Sequence, residues 1–384
     1  MSNNTVISNE SWFSRLGNAF KGILIGLALL LASIILLWWN EGRAVLTDKG
    51  LKEGASLVVA APSDRIDPAN DGKLVHVSGR GVTEKALTDP DFSFMTAKAL
   101  VLRRQVEMFQ WQEHKQTKEN KKIGGSVEKT TTYSYSKVWS SSLYNSSHFH
   151  DPNGHANPAA MPYTALTIRA SDAQLGAYRL PEDMLQLSAQ ETLRPPDNIS
   201  LAKGRAVGGY IFIGNNPDSP EIGDMRINHA YAPEQDVSIL ARQHGDTFAP
   251  FSVSGGKRTI CMLRPGLYDA SGMFDAAHNE NALLTWLLRA GGILGLFIGF
   301  SLIFRPLAVA GDLVPFIGSI LSVGTGIVAF CLSLASGLLV IGLAWLFYRP
   351  LLGAVLILGT AGVLFGLKRL SGQRRAARDS SASA

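Results

Sequence analysis

Cysteine is nearly absent: the 384 residues contain two, Cys261 and Cys331. One lies in a stretch of globular composition and the other in an apolar run. A bond between them would join sulfurs in different phases, so the fold is expected to rest on packing. Charge is scarce too, at 17% of residues against a usual fraction of about 25%. The motifs GxSxG, Walker A, the dinucleotide fingerprint, HExxH and paired CxxC are all missing. That absence removes the enzyme classes such motifs announce, and neither catalysis nor a cofactor is expected.

The charge deficit is local. Apolar runs cover 22–39, 282–304, 313–348 and 350–367, whereas 40–281 has ordinary composition and length enough for its own core. The first run, GILIGLALLLASIILLWW, matches the roughly 20 residues that cross a hydrocarbon layer about 30 Å thick. No small-x-small cleavage site follows it, so it reads as a retained anchor. Trp38 and Trp39 fall where aromatic belts form. Asn40, Glu41, Gly42 and Arg43 follow, with Gly42 suited to end a helix and Arg43 to its negative pole. The competing reading is a docking point for another span.

Arg15 and Lys21 precede the first run, and Lys368, Arg369, Arg374, Arg375 and Arg378 follow the last. By the positive-inside rule both ends, 1–21 and 368–384, are cytoplasmic, the number of crossings is even, and 40–281 is extracytoplasmic. The basic tail accounts for most of the net charge of +5, so no nucleic-acid partner is expected. Four spans satisfy this parity: 22–39, 282–304, 324–348 and 350–367. The segment 305–323, with Asp312, Pro315, Gly318 and then Gly324, reads as interfacial or re-entrant backbone. Gly291, Gly295 and Gly299 form a small-xxx-small face suited to close helix packing. Arg289 is expected to snorkel to the headgroups or, if the first span docks against the second, to meet Glu41 near the same surface.

Within 40–281, LVHVSGRGV alternates like a strand. VLRRQVEMFQWQEHK and TTTYSYSKVWSSS read as a hairpin joined by a long basic loop, KENKKIGGSVEK. GGYIFIG, DMRINHAYA, DVSILARQHG and RTICMLRPG suggest further strands. TDPDFSFMTAKA, PEDMLQL and a segment capped by Ser271 read as helical. The fold class is therefore an α-helical membrane anchor carrying a large, β-rich α+β extracytoplasmic domain. His148, His150 and His155, with Asp151, could chelate a metal, but no second ligand group supports them, and HFHDPNGH reads better as a polar turn. Asn145-Ser-Ser and Asn198-Ile-Ser fit glycosylation acceptors.

The chain resembles the transmembrane protein 43 (LUMA) family along nearly its whole length. The likeness runs through NEGRAV, SLVV at 56–59, KLVHVSG, LTDPDF, LRRQVEMFQWQE, TYSYSKVW, NPAAM, GDMRI, ILARQHGDTFAPFS, the Trp286 to Arg289 helix and WLFYRP. DLVPFIGSILSVGTG looks more like bacterial relatives, and His148 and His150 depart from the family pattern. The resemblance implies four spans and a lumenal domain. It also implies residence in the ER and inner nuclear membrane, or in an inner membrane with a periplasmic domain in a bacterium. Its expected role is a scaffold that self-associates and contacts membrane lipids, with lamin- and emerin-type partners where the host has a nucleus. The alternatives are an envelope-stress or lipid-sensing factor, motivated by Trp38, Trp39, Arg289 and the DLVPF stretch, and a metal-dependent enzyme resting on the histidine loop alone.

Overall fold

A computed structural model describes residues 4–199, 201 and 204–349. It divides into two units: a β-rich one formed by 1–9, 50–120 and 128–278, and a helical one formed by 10–49, 121–127 and 279–384.

The helical unit is built on α1 (Trp12–Leu57), α2 (Ala270–Gly311) and α3 (Pro315–Tyr348), all long and apolar enough to cross a membrane. The expected span 350–367 and the tail 368–384 lie outside the described residues. Helix α1 does not stop after Trp39. Gly42 keeps helical backbone, because helical φ and ψ cost glycine only a modest entropy penalty and the neighbouring polar groups find partners across the bundle. Arg43 is accordingly far from any helix end. The re-entrant break is also absent. Helix α2 continues to Gly311, a short turn holds Asp312, and Pro315 opens α3, where its missing N–H removes no helical bond. Gly318 and Gly324 lie inside α3. The cap of α2 is Asp269, whose carboxylate accepts from the Gly272 N–H at 2.8 Å and from the Ser271 hydroxyl at 2.7 Å. Ser271 supports that cap without being it.

The small-residue face is real but shifted. A Cβ on Gly26 would sit 2.8 Å from the Gly299 carbonyl oxygen, and one on Gly299 would sit 2.8 Å from a Leu30 methyl. Gly295 lies against Ser33 and Gly292 against Leu37, whereas Gly291 faces open space. The contact follows 292, 295 and 299 because the helix repeat of about 3.6 residues carries a strict spacing of four off the interface.

The β-rich unit holds two main sheets. The larger contains β1 (Asn4–Glu10), β3 (Ala99–Lys121), β4 (Val127–Ser140), β5 (Leu166–Arg169), β6 (Gly204–Val207), β7 (Tyr210–Ile213) and β8 (Met225–Pro233). Its order is β1-β4-β3-β8-β7-β6, with β5 also on β3 and Glu191–Leu193 on β8. The smaller centres on β2 (Leu74–Val82) paired antiparallel with β9 (Gln235–His244), which also takes β10 (Met262–Pro265). Period-2 burial is clear in β3, where Leu102, Arg104, Val106 and Met108 are buried between exposed Arg103 and Gln105 and half-buried Glu107. Val75, Val77, Leu100, Leu102, Val237 and Ile239 join both sheets in one core.

Several sequence expectations change here. The long loop contracts, because β3 runs on to Lys121 and β4 starts at Val127, leaving a turn in which Gly124 (φ 89°) and Gly125 (φ 79°) supply the left-handed backbone. TDPDFSFMTAKA is no helix: Leu87–Thr88 pairs with Thr96–Ala97, because Asp89 accepts from the Asp91 and Phe92 N–H groups and turns the chain. Asn4–Glu10, for which the sequence suggested only a cytoplasmic location, forms β1. PEDMLQL yields only a single 3-10 turn, Glu182–Met184.

Both ends of the insertion are helical. Leu51 from the last turns of α1, and Met273, Phe274 and Ala277 from the first turns of α2, share a core cluster with Leu74, Leu240, Val253 and Ile260. Gly50 and Gly54 allow this packing, since a Cβ on them would meet Val253 at 2.9 Å and Ile260 at 2.3 Å.

Candidate functional site

The polar residues after the first apolar run gather where the three helices meet. Glu41 is fully buried. Arg289 donates to it twice, Nε to Oε1 at 2.6 Å and Nη2 to Oε2 at 2.8 Å, and Trp345 Nε1 donates to Oε2 at 2.8 Å. Three donors on one carboxylate offset the cost of removing it from water. The guanidinium of Arg289 also lies over the rings of Trp286 at 4.8 Å and Trp345 at 5.7 Å. Arg289 therefore does not snorkel, because it has found a desolvated partner.

One turn away, Asn40 donates to the Thr285 carbonyl at 3.1 Å, and Arg43 donates to Asn281 Oδ1 and Thr285 Oγ1, each at 2.8 Å. Asn281 returns a bond to the Ala44 carbonyl at 3.1 Å. Trp38 packs on Phe347 and Tyr348, while Trp39 is exposed. Gly42 admits Tyr348: a Cβ there would sit 2.7 Å from the ring.

At the other end of this bundle, buried Asp312 takes Arg15 at 2.5 Å and Lys121 at 2.7 Å. Arg15 also donates to the Gly125 carbonyl, and Trp12 Nε1 to the Val309 carbonyl at 2.8 Å. Asp312 thus fastens the helix turn to the tip of the β3–β4 hairpin.

The β-rich unit has a buried charge cluster of its own. Asp89 accepts from Arg104 Nη1 at 2.7 Å and from His229 Nε2 at 2.8 Å, and Arg104 also reaches Asp91 at 2.7 Å and the Thr164 carbonyl at 2.9 Å. His229 is enclosed, its Nδ1 meets no partner, and its ring stands edge-on to Phe92. Burial first holds its pKa below the usual imidazole value, with the bond to Asp89 opposing.

The histidine loop gathers no metal site. His150 stacks on Tyr133 at 4.2 Å and His155 on Tyr135 at 3.7 Å, while His148 is exposed. The His150 and His155 rings pack separately, and the described residues contain no cluster of three or more ligating side chains.

Sequence reasoning missed Asn281, Thr285, Trp345 and Tyr348 in the helical cluster. Asn281, Thr285 and Arg289 recur at four-residue spacing, one polar stripe on an otherwise apolar helix, and that signal was readable. In the domain it missed Arg104 and His229; no local pattern marks them, since they lie on different strands.

Residues 108–350 match the family model for transmembrane protein 43. Transmembrane protein 43 of Homo sapiens is 35% identical over 372 residues, covering 92% of this chain and 91% of its own length. The rat protein of the same name is 35% identical over 363 residues, with 90% and 89% covered. The Drosophila melanogaster homolog is 28% identical over 355 residues, with 88% and 92% covered. No solved structure matches the chain.

Proposed function

Because the chain belongs to the transmembrane protein 43 family, as a multi-pass integral membrane protein, we propose that it is a non-enzymatic scaffold whose β-rich domain binds partner proteins or further copies of itself. One observation carries this reading. Helices α1 and α2 are apolar along their spans, and the same helices continue into the domain core through Leu51, Met273, Phe274 and Ala277. A domain strung on flexible linkers would move freely of its anchors; one whose core contains the ends of its anchors can pass a load or an orientation to them. The polar cluster on Glu41 supports the same role, since it ties three spans together.

In a host with a nucleus the location this reading favours is the ER and inner nuclear membrane, with lamin- or emerin-type proteins as partners. Cross-linking in native membranes, followed by identification of the products, tests the scaffold. Stable homo-oligomers or a recurrent membrane partner are expected, and recovery of monomers alone would overturn it.

A further inference from the structure

Along one edge of β3 the neighbouring strand changes. Val101 to Arg104 pair with β5, the last rung being Arg104 opposite Leu166, and further along β4 takes over and ends at Ser140. Between these two strand ends lies a cavity of about 560 Å³ lined by Arg103, Gln105, Val106, Glu107, Ser141 and Thr167, among others. Its volume falls within the ~300–1,000 Å³ of small-ligand sites.

Backbone parity determines what faces it. The Phe109 N–H donates to the Asp224 carbonyl at 2.8 Å, and the Phe109 carbonyl accepts from the Gly223 N–H at 2.9 Å, so Phe109 points to the β8 edge. The register with β8 is unbroken from Met108 opposite Met225 to Val101 opposite Ala232. Successive residues of a strand turn their polar groups to alternate edges. Glu107 and Gln105 therefore face β8, and Val106 presents one N–H and one C=O to the cavity.

We propose that this notch receives the carboxy-terminal end of a short extended peptide from a partner protein. A donor and an acceptor on one residue form a single rung of a β-ladder, which a peptide unit matches. A phosphate, offering acceptors alone, would leave the Val106 carbonyl unpaired. Leu166 and Ser140 close the notch at both ends, so a strand cannot run through it, whereas a chain end can enter. The carboxylate of that end has a partner in Arg103, which is exposed and whose side chain bonds to no described residue. Glu107, which would otherwise repel it, is already held by Arg226 at 2.8 Å.

This proposal deepens the scaffold reading by naming the chemistry of a partner, and it fails separately. The full-length protein in mild detergent is titrated with N-acetylated pentapeptide pools carrying a free carboxylate, with the same pools amidated, and with glycerol 3-phosphate. The free-acid pool is expected to bind, and the amide to bind about tenfold more weakly, the worth of one charge-assisted hydrogen bond. Arg103→Ala should abolish that preference, and Ala165→Trp, built on the exposed wall of the notch, should abolish binding. Absence of binding, equal binding of acid and amide, or equal competition by glycerol 3-phosphate would overturn the proposal, while oligomers recovered by cross-linking in native membranes would leave the scaffold intact.

Discussion

Arg289 grips Glu41 with two nitrogens of one guanidinium, at 2.6 and 2.8 Å, so that the first and second spans are joined by a bidentate pair whose side chains are 12% and 1% exposed. Removing either member strands the other in a poorly hydrated place.

Glu41→Ala and Arg289→Ala should each destabilise the detergent-solubilised protein by about 3–5 kcal/mol, as breaking a buried pair does. The double substitution should cost clearly less than the sum. Trp345→Phe removes one of three donors to Glu41 and should cost about 1 kcal/mol. Thermal unfolding of the four variants measures all of this, and additive losses would mean that the pair is not coupled.

The glycines give a contrast on neighbouring turns. Gly26→Ala drives a methyl to 2.8 Å from the Gly299 carbonyl oxygen, backbone that cannot swing aside. It should destabilise by about 1–3 kcal/mol. Gly291→Ala meets nothing within 4 Å and should be neutral or stabilising by up to ~1 kcal/mol through helix propensity. Melting temperatures that rank the two the other way would refute the packing face.

Sequence reached the anchor more fully than the domain. Four-residue glycine spacing pointed to α2 as a packing helix, yet Gly291 was included and Gly292 left out, since a stripe read at fixed spacing cannot register helical drift. Glu41 and Arg289 could be joined beforehand because each is a charge beside an apolar run, and Arg43, two positions from Glu41, lies off its helical face. The link between Asp89, Arg104 and His229 was illegible, because it depends on which strands become neighbours. Gly42 misled for a different reason: glycine permits a helix end without requiring one, and the bundle contacts of Asn40, Glu41 and Arg43 decide the matter.

Acid should weaken the domain through His229. Its pKa is lowered in the folded protein by burial, while in the unfolded chain it returns to about 6.5. Below that value the unfolded state binds the extra proton, so stability falls as pH drops through 6.5 and levels off below the folded pKa. His229→Gln keeps a donor for Asp89 and should flatten the change in unfolding temperature between pH 7.5 and the low fives, whatever its effect at neutral pH. An unchanged pH slope would show that His229 does not titrate in this range.

The sidedness of the first residues is the sharpest test. By the charge rule 1–21 is expected in the cytoplasm and 40–281 across the membrane, yet β1 pairs with β4 in the larger sheet. Independently, Trp12 packs on Gly125 and Arg15 donates to its carbonyl, so the chain just before the span also meets the hairpin turn. A strand cannot pair with its neighbour through a lipid core, since every unpaired backbone group there costs several kcal/mol. In a background with Cys261→Ser and Cys331→Ala, Ser8→Cys and Ile123→Cys, both exposed, should react with a membrane-impermeant maleimide from the same face of sealed vesicles. Labelling from opposite faces would mean that β1 leaves the sheet in the membrane and that the charge rule alone orients the first span.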